Sequence, residues 1–129
     1  MTSFSQTDLQ RMPSVDNTIG VIGGGQLALM LGEAAQTRGL TLAVQASKAE
    51  DPAASLAKDL VIAGSTDVRA TRELSSHCVG ITFENEWVAV DALMPLERQG
   101  VQFTPSLASL IPLVNKLSQR RLLNDLLIP

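Results

Sequence analysis

The run Gly23-Gly24-Gly25-Gln26-Leu27-Ala28, set directly after the apolar stretch Ile19-Gly20-Val21-Ile22, constrains this chain more than any other feature. It satisfies G-x-G-x-x-G/A between a strand and a helix. Glycines there permit positive φ and let another group approach the backbone, and the helix that follows presents unpaired N–H groups with a partial positive charge. Two uses remain open. The turn contacts a phosphate, or it only lets the strand reverse tightly into its helix. In residues 26–38, Leu27, Met30, Leu31, Ala34 and Ala35 share one helical face, and Gly39 supplies the stop.

The same alternation continues along the chain. A second strand over residues 40–44 leads through a polar loop to a short helix opened by Pro52, and residues 60–63 make a third strand. Ser65, Thr66 and Asp67 offer N-cap side chains for a helix ending near Cys78. Residues 79–83 form a fourth strand, 88–98 a helix closed by Gly100, and 101–103 a fifth strand before the Thr104-Pro105-Ser106 turn. A last helix over 107–127 is expected to break near Pro112. Strands alternating with helix-length segments define an α/β fold, a Rossmann-like parallel sheet with crossover helices. The expected organisation is a flexible leader at 1–17, that domain at 18–106, and a linker helix at 107–129.

Size and charge narrow the function. With 129 residues and 45% hydrophobic content, one ordinary core is affordable. Ten basic against thirteen acidic residues give a net charge of −3 without a basic cluster suited to a phosphate backbone, so nucleic acid is not expected as a partner. Cys78 has no second cysteine to pair with, and with His77 alone there is no soft ligand set for a metal. Both are read as structural, and no catalytic residue is assigned. No run approaches the roughly 18 apolar residues of a membrane span, and Asp8 and Arg11 interrupt any secretory signal, so a cytoplasmic protein is expected.

A dinucleotide site would need an acid at the end of the second strand to take the ribose hydroxyls. Val44, Gln45 and Ala46 stand there, and the nearest acids, Glu50 and Asp51, come later in the loop. Glu84 and Glu86, one residue apart after the fourth strand, point the same way in extended geometry. They are candidates for hydroxyl or amine recognition, or else solvated loop carboxylates. Lys116, Arg120 and Arg121 read as a solvated helix face, and Trp87 as core or interface.

In order and spacing, five segments resemble the pre-ATP-grasp domain of carboxyaminoimidazole ribonucleotide synthetase, the ATPase component of phosphoribosylaminoimidazole carboxylase. They are the glycine turn with its strand, residues 51–59, Gly64-Ser65-Thr66-Asp67, Ile81-Thr82-Phe83-Glu84-Asn85-Glu86, and residues 115–129 in register with the family's linker helix. The resemblance implies a ligase of purine biosynthesis using ATP, Mg²⁺ and bicarbonate to carboxylate the amine of aminoimidazole ribonucleotide. It implies substrate contacts at Gly25, Gln26, Leu27 and the Glu84/Glu86 pair, the turn taking the phosphate end, and an ATP-phosphate contact at Lys116. Three positions depart from the family: Ala28 stands for a third glycine, Lys116 for an arginine, and Asn85 for an aromatic between the acids. The family's ATP-clamping domain is expected after Pro129, so this stretch alone is expected to be inactive. A related ligase acting on glycinamide ribonucleotide, a standalone nucleotide-binding or regulatory module, and an interaction domain remain alternatives. Homodimerisation through Leu122, Leu123, Leu126 and Leu127 is a further expectation.

Overall fold

The computed structural model describes residues 16–85, 87–114 and 125–126. In chain order the elements are β1 (Thr18–Ile22), α1 (Gln26–Gln36), β2 (Thr41–Ala46), a 3-10 turn (Pro52–Leu56), β3 (Ala57–Ile62), α2 (Val68–Ser75), β4 (Gly80–Phe83), α3 (Val90–Arg98) and α4 (Leu107–Val114). The strands pair in parallel in the order β3-β2-β1-β4, with Gly20 of β1 opposite Ala43 on one side and Ile81 on the other.

Burial on both faces explains why β1 and β2 read as nearly continuous apolar runs. Val21, Leu42 and Val44 pack with Ala28 and Ala35 of α1 and with Ala53. Ile22 and Ala43 point the other way, into a larger cluster with Leu74, Leu93, Leu96 and Leu107. The chain steps from β1 outward to β2 and β3, then returns to place β4 on the far side of β1. Crossovers between parallel strands are right-handed, so reversing the stepping direction moves the connecting helix to the opposite face. The reversal also leaves the carboxyl ends of β1 and β4 side by side with their loops departing to opposite faces, the usual place for a ligand crevice.

Several expectations change in the fold. The face of α1 that meets the sheet carries Ala28, Gly32 and Ala35, while Leu27, Met30 and Leu31 are exposed. Small residues let the helix approach closely: a Cβ on Gly32 would stand 2.8 Å from a methyl of Leu56 and 3.1 Å from one of Leu42. The expected fifth strand is a single parallel bridge, Ile81 to Phe103, in which the Ile81 N–H donates to Gln102 O at 2.8 Å. Three residues between Gly100 and the Thr104-Pro105 turn leave no length for a ladder, and proline has no N–H to extend one. β2 runs on to Ala46 and β3 begins earlier, at Ala57. Asp67 is the N-cap of α2, accepting the Ala70 N–H at 3.0 Å. α4 passes through Pro112 to Val114, giving up one backbone hydrogen bond without ending there. The leader residues 1–15 and residues 115–124 lie outside the described residues.

Cys78 closes the amino end of the larger core, buried, with its thiol donating to Leu74 O at 3.3 Å. Burial pushes the thiol pKa above its ordinary 9.0, against smaller lowering from backbone hydrogen bonds of Gly20 and Gly80. The sign follows from linkage. Below that ordinary value the thiol is protonated whether folded or not and leaves stability unchanged. Above it the unfolded chain ionises while the fold retains the proton, so stability falls as pH rises. A thiol reagent at pH 8 is expected to modify Cys78 slowly in native buffer and rapidly in denaturant. Equal rates in the two would show that the sulfur is reachable without opening the core.

Candidate functional site

The crevice at the carboxyl ends of β1, β2 and β4 encloses about 280 Å³ and is lined by the glycine turn, Gln45, Ser47, Asp51, Ser65 and Glu84, among others. Its floor is backbone. The Gly23 N–H donates to Gln45 O at 2.9 Å and the Glu84 N–H to Ile22 O at 3.0 Å, extending both strand pairings into the loops. Gly23 has φ +110°, a conformation that side chains other than glycine's rarely adopt.

Glu84 lies over the turn. Its Oε2 accepts the Ala28 N–H at 2.9 Å, in the first turn of α1, whose N-cap residue Gly25 has no side-chain cap of its own. A Cβ on Gly25 would fall 2.7 and 2.9 Å from the two carboxylate oxygens, and one on Gly23 would fall 2.8 Å from the Glu84 Cβ. Glycine at Gly25 leaves room for the Glu84 carboxylate in this position, and a Cβ there would move the carboxylate off the Ala28 N–H. That carboxylate already meets the helix amino terminus, the feature expected to attract a phosphate.

The second carboxylate of the crevice comes from the loop after β2. Asp51 Oδ2 accepts the Ser47 N–H at 3.0 Å and the Ser47 hydroxyl at 2.9 Å, folding the loop back on itself, and the Ala53 N–H ties the turn by donating to Gly24 O at 2.8 Å. Sequence spacing set Asp51 aside as the acid of a dinucleotide site and kept it only as the first residue of the 51–59 segment of the resemblance. The Ser47 to Asp51 side-chain turn is the local signal that could have found it. The crevice thus carries Asp51 and Glu84 and, among its lining residues, no lysine or arginine.

Gln45 fills the place of the dinucleotide-type acid. It is 1% exposed, donates through Nε2 to Gly64 O at 2.8 Å, and accepts the Thr71 hydroxyl at 2.8 Å. Trp87 is 65% exposed, which removes the core reading for it; its N–H donates to Asn85 Oδ1 at 2.9 Å, and its carbonyl accepts the Ser65 hydroxyl. His77 Nδ1 sits 3.7 Å from Asp59 Oδ2, at the opposite end of the sheet from the crevice. Of the sequence candidates, the fold brings Gly25 and Glu84 into the crevice lining, Gln26 and Leu27 open α1 beside it without lining it, and Glu86 and Lys116 lie outside the described residues. Among the described residues no group of three or more His, Cys, Asp or Glu side chains could hold a metal, and no helix is long and apolar enough to cross a membrane.

An open parallel sheet with a glycine turn and an acid facing each other across its switch point defines a nucleotide-fold domain built to bind a small polar ligand. The family model for the ribonucleotide synthetase preATP-grasp domain matches residues 16–112, and the chain belongs to that family. It is 48% identical over 112 residues to the N5-carboxyaminoimidazole ribonucleotide synthase of Synechocystis, an alignment covering 87% of this chain and 29% of that protein. The crystal structure of the corresponding synthetase from Thermotoga maritima superposes with a TM-score of 0.77 at 28% identity, covering 84% of this chain and 30% of that one. The Aspergillus clavatus enzyme, solved in complex with ADP and 5-aminoimidazole ribonucleotide, gives 0.72 at 28% identity over 86% of this chain and 30% of its own. The chain therefore spans less than a third of the length of these relatives.

Proposed function

We propose that this chain is the substrate-side, amino-terminal domain of an ATP-dependent ligase that carboxylates the amino group of aminoimidazole ribonucleotide in purine biosynthesis, and that the crevice receives the ribose-and-amine part of that substrate. The observation that carries the reading is the Glu84 carboxylate, held against Gly25 by the Ala28 N–H at the switch point. A phosphate at this turn would face two carboxylates, with no lysine or arginine among the described residues lining the crevice. Hydroxyl and amine donors fit it better, since a carboxylate only accepts. Gly25, with Gln26 and Leu27 opening α1 beside it, then forms the wall on which the ribonucleotide lies, Glu84 takes its donors, and Glu86 is the second candidate acceptor. The phosphate end is directed out of the crevice, a revision of the assignment drawn from resemblance.

In this reading residues 1–17 are a leader, 18–106 the domain proper, and 107–129, with Lys116, the linker toward an ATP-binding domain. ATP, Mg²⁺ and bicarbonate would supply carboxyphosphate there. Mg²⁺ is bound by one or two carboxylates together with waters and substrate phosphates, and in this reading it accompanies the ATP phosphates on the other side of the linker. The chain is inactive by itself, works in the cytoplasm, and self-associates as a homodimer where Leu122, Leu123, Leu126 and Leu127 are left uncovered by the absence of the following domain.

The test pairs calorimetric titration of this chain with an activity assay of a polypeptide that continues past Pro129. Aminoimidazole ribonucleotide is expected to bind and NAD not to, and carboxylated product should form only in the longer protein supplied with ATP and bicarbonate. NAD binding without ribonucleotide binding, or a coding sequence past Pro129 that holds no ATP-binding domain, would remove the ligase reading.

A further inference from the structure

Among the described residues Gln45 is the one large polar side chain that is buried, and it borders the crevice. Its amide has a single satisfying orientation: Nε2 faces two carbonyl oxygens, Gly64 O at 2.8 Å and Asp67 O at 3.4 Å, and Oε1 faces the Thr71 hydroxyl at 2.8 Å. Its own carbonyl accepts the Gly23 N–H at 2.9 Å. One residue therefore touches the glycine turn, the loop leaving β3 and the first turn of α2. Ser65, next after Gly64, donates its hydroxyl to the carbonyl of Trp87, whose N–H is held by Asn85. These bonds run unbroken from the end of β2 to the loop after β4 that carries Glu84.

We infer that Gln45 is a positioning residue for the ribonucleotide crevice, an amide brace that fixes the β3 loop and the β4 loop relative to the glycine turn, and that it sets specificity against dinucleotides, whose adenosine ribose needs an acid at the end of β2, while Glu84 serves the ribonucleotide's own ribose. The inference rests on the ribonucleotide reading of the crevice and deepens it. The Gln45–Thr71 bond is buried and the Gln45 bonds to the Gly64 and Asp67 carbonyls are part-buried, so turning the amide over would set its oxygen against those carbonyls. Thr71 is 0% exposed, and its hydroxyl lies 2.8 Å from Gln45 Oε1 and 3.2 Å from the Asp67 carbonyl, the amide oxygen being the nearer acceptor. A glutamate at this position could not donate to the carbonyls of Gly64 and Asp67 and would set its charge against them. The brace thus accounts for an amide, rather than an acid or an apolar side chain, at the site where a dinucleotide binder keeps its carboxylate.

The test uses the protein extended to the length of its relatives, with Gln45→Met, Thr71→Val and Thr71→Ser, and reads steady-state kinetics together with the emission of Trp87, the only tryptophan of these 129 residues. Loss of one buried hydrogen bond corresponds to about fivefold or more. Gln45→Met and Thr71→Val are expected to raise KM for aminoimidazole ribonucleotide by roughly five- to tenfold, leave KM for ATP in place and shift the Trp87 emission. Thr71→Ser restores the hydroxyl and should return both readouts to the wild-type values. Should Gln45→Met fail to fold, the near-isosteric Thr71→Val carries the measurement. A folded Thr71→Val with wild-type ribonucleotide KM and unshifted Trp87 emission overturns the brace while the ribonucleotide reading stands. A wild-type protein indifferent to the ribonucleotide overturns that reading and the specificity claim with it, and the Trp87 emission of Thr71→Val still decides the brace.

Discussion

Replacing Glu84 by glutamine is expected to lower kcat/KM for aminoimidazole ribonucleotide by roughly ten- to a hundredfold in the protein extended past Pro129, with little change for ATP. The substitution keeps the shape. A glutamine oxygen can still accept the Ala28 N–H, so the end of α1 stays capped and the fold loses only the charge–dipole part of the contact, about 0.3–1 kcal/mol. What changes is the acceptor offered to the ligand. A hydrogen bond to a charged group contributes about 1.5–3 kcal/mol, and a neutral amide gives up most of that difference. If Glu84→Gln leaves ribonucleotide kinetics untouched while Glu86→Gln lowers them, the assignment within the pair is reversed. If neither substitution matters, this edge of the sheet does not hold the substrate.

Gly25→Ala is expected to weaken ribonucleotide binding at least as much and to destabilise the fold besides. The backbone at Gly25 is extended, φ −79° and ψ −161°, so alanine meets no conformational barrier there. The cost is steric and local, because the new methyl would stand 2.7 and 2.9 Å from the oxygens of Glu84. Glu84 must swing away, the Ala28 N–H loses its acceptor, and the helix gives up a capping contact of about 1 kcal/mol. The double variant Gly25→Ala with Glu84→Gln should cost less than the sum of the single changes, since both act through one carboxylate. Measured additivity, by thermal unfolding and by binding, would show that the methyl does its damage elsewhere.

The relation between those two residues marks where sequence reading stops. Each was legible alone: the glycine turn from its pattern between strand and helix, Glu84 from its place after an apolar run. That one residue explains the other was not, because they are 56 positions apart and nothing local couples them. The same holds for α1. Helical periodicity marked Leu27, Met30 and Leu31 as a face, yet the sheet takes Ala28, Gly32 and Ala35, since the branched residues of β1 and β2 already fill the layer and only small side chains let the helix come close. Gln45 was read for what it lacks, an acid. Its partners, the exposed Gly64 and the buried Thr71, lie on segments the chain brings back only after β3 is in place.

By itself the sequence determined the α/β class, the placing of most strands and helices, the glycine turn and the family resemblance, because these depend on periodicity, turn chemistry and motif order within short stretches of chain. Only the tertiary structure decided the strand order β3-β2-β1-β4, the crevice between β1 and β4, the carboxylate lying on the turn and the amide brace beneath it. Those depend on which distant segments become neighbours once the crossover reverses, and adjacency across a sheet is set by how both faces are covered rather than by residues next to one another in the chain.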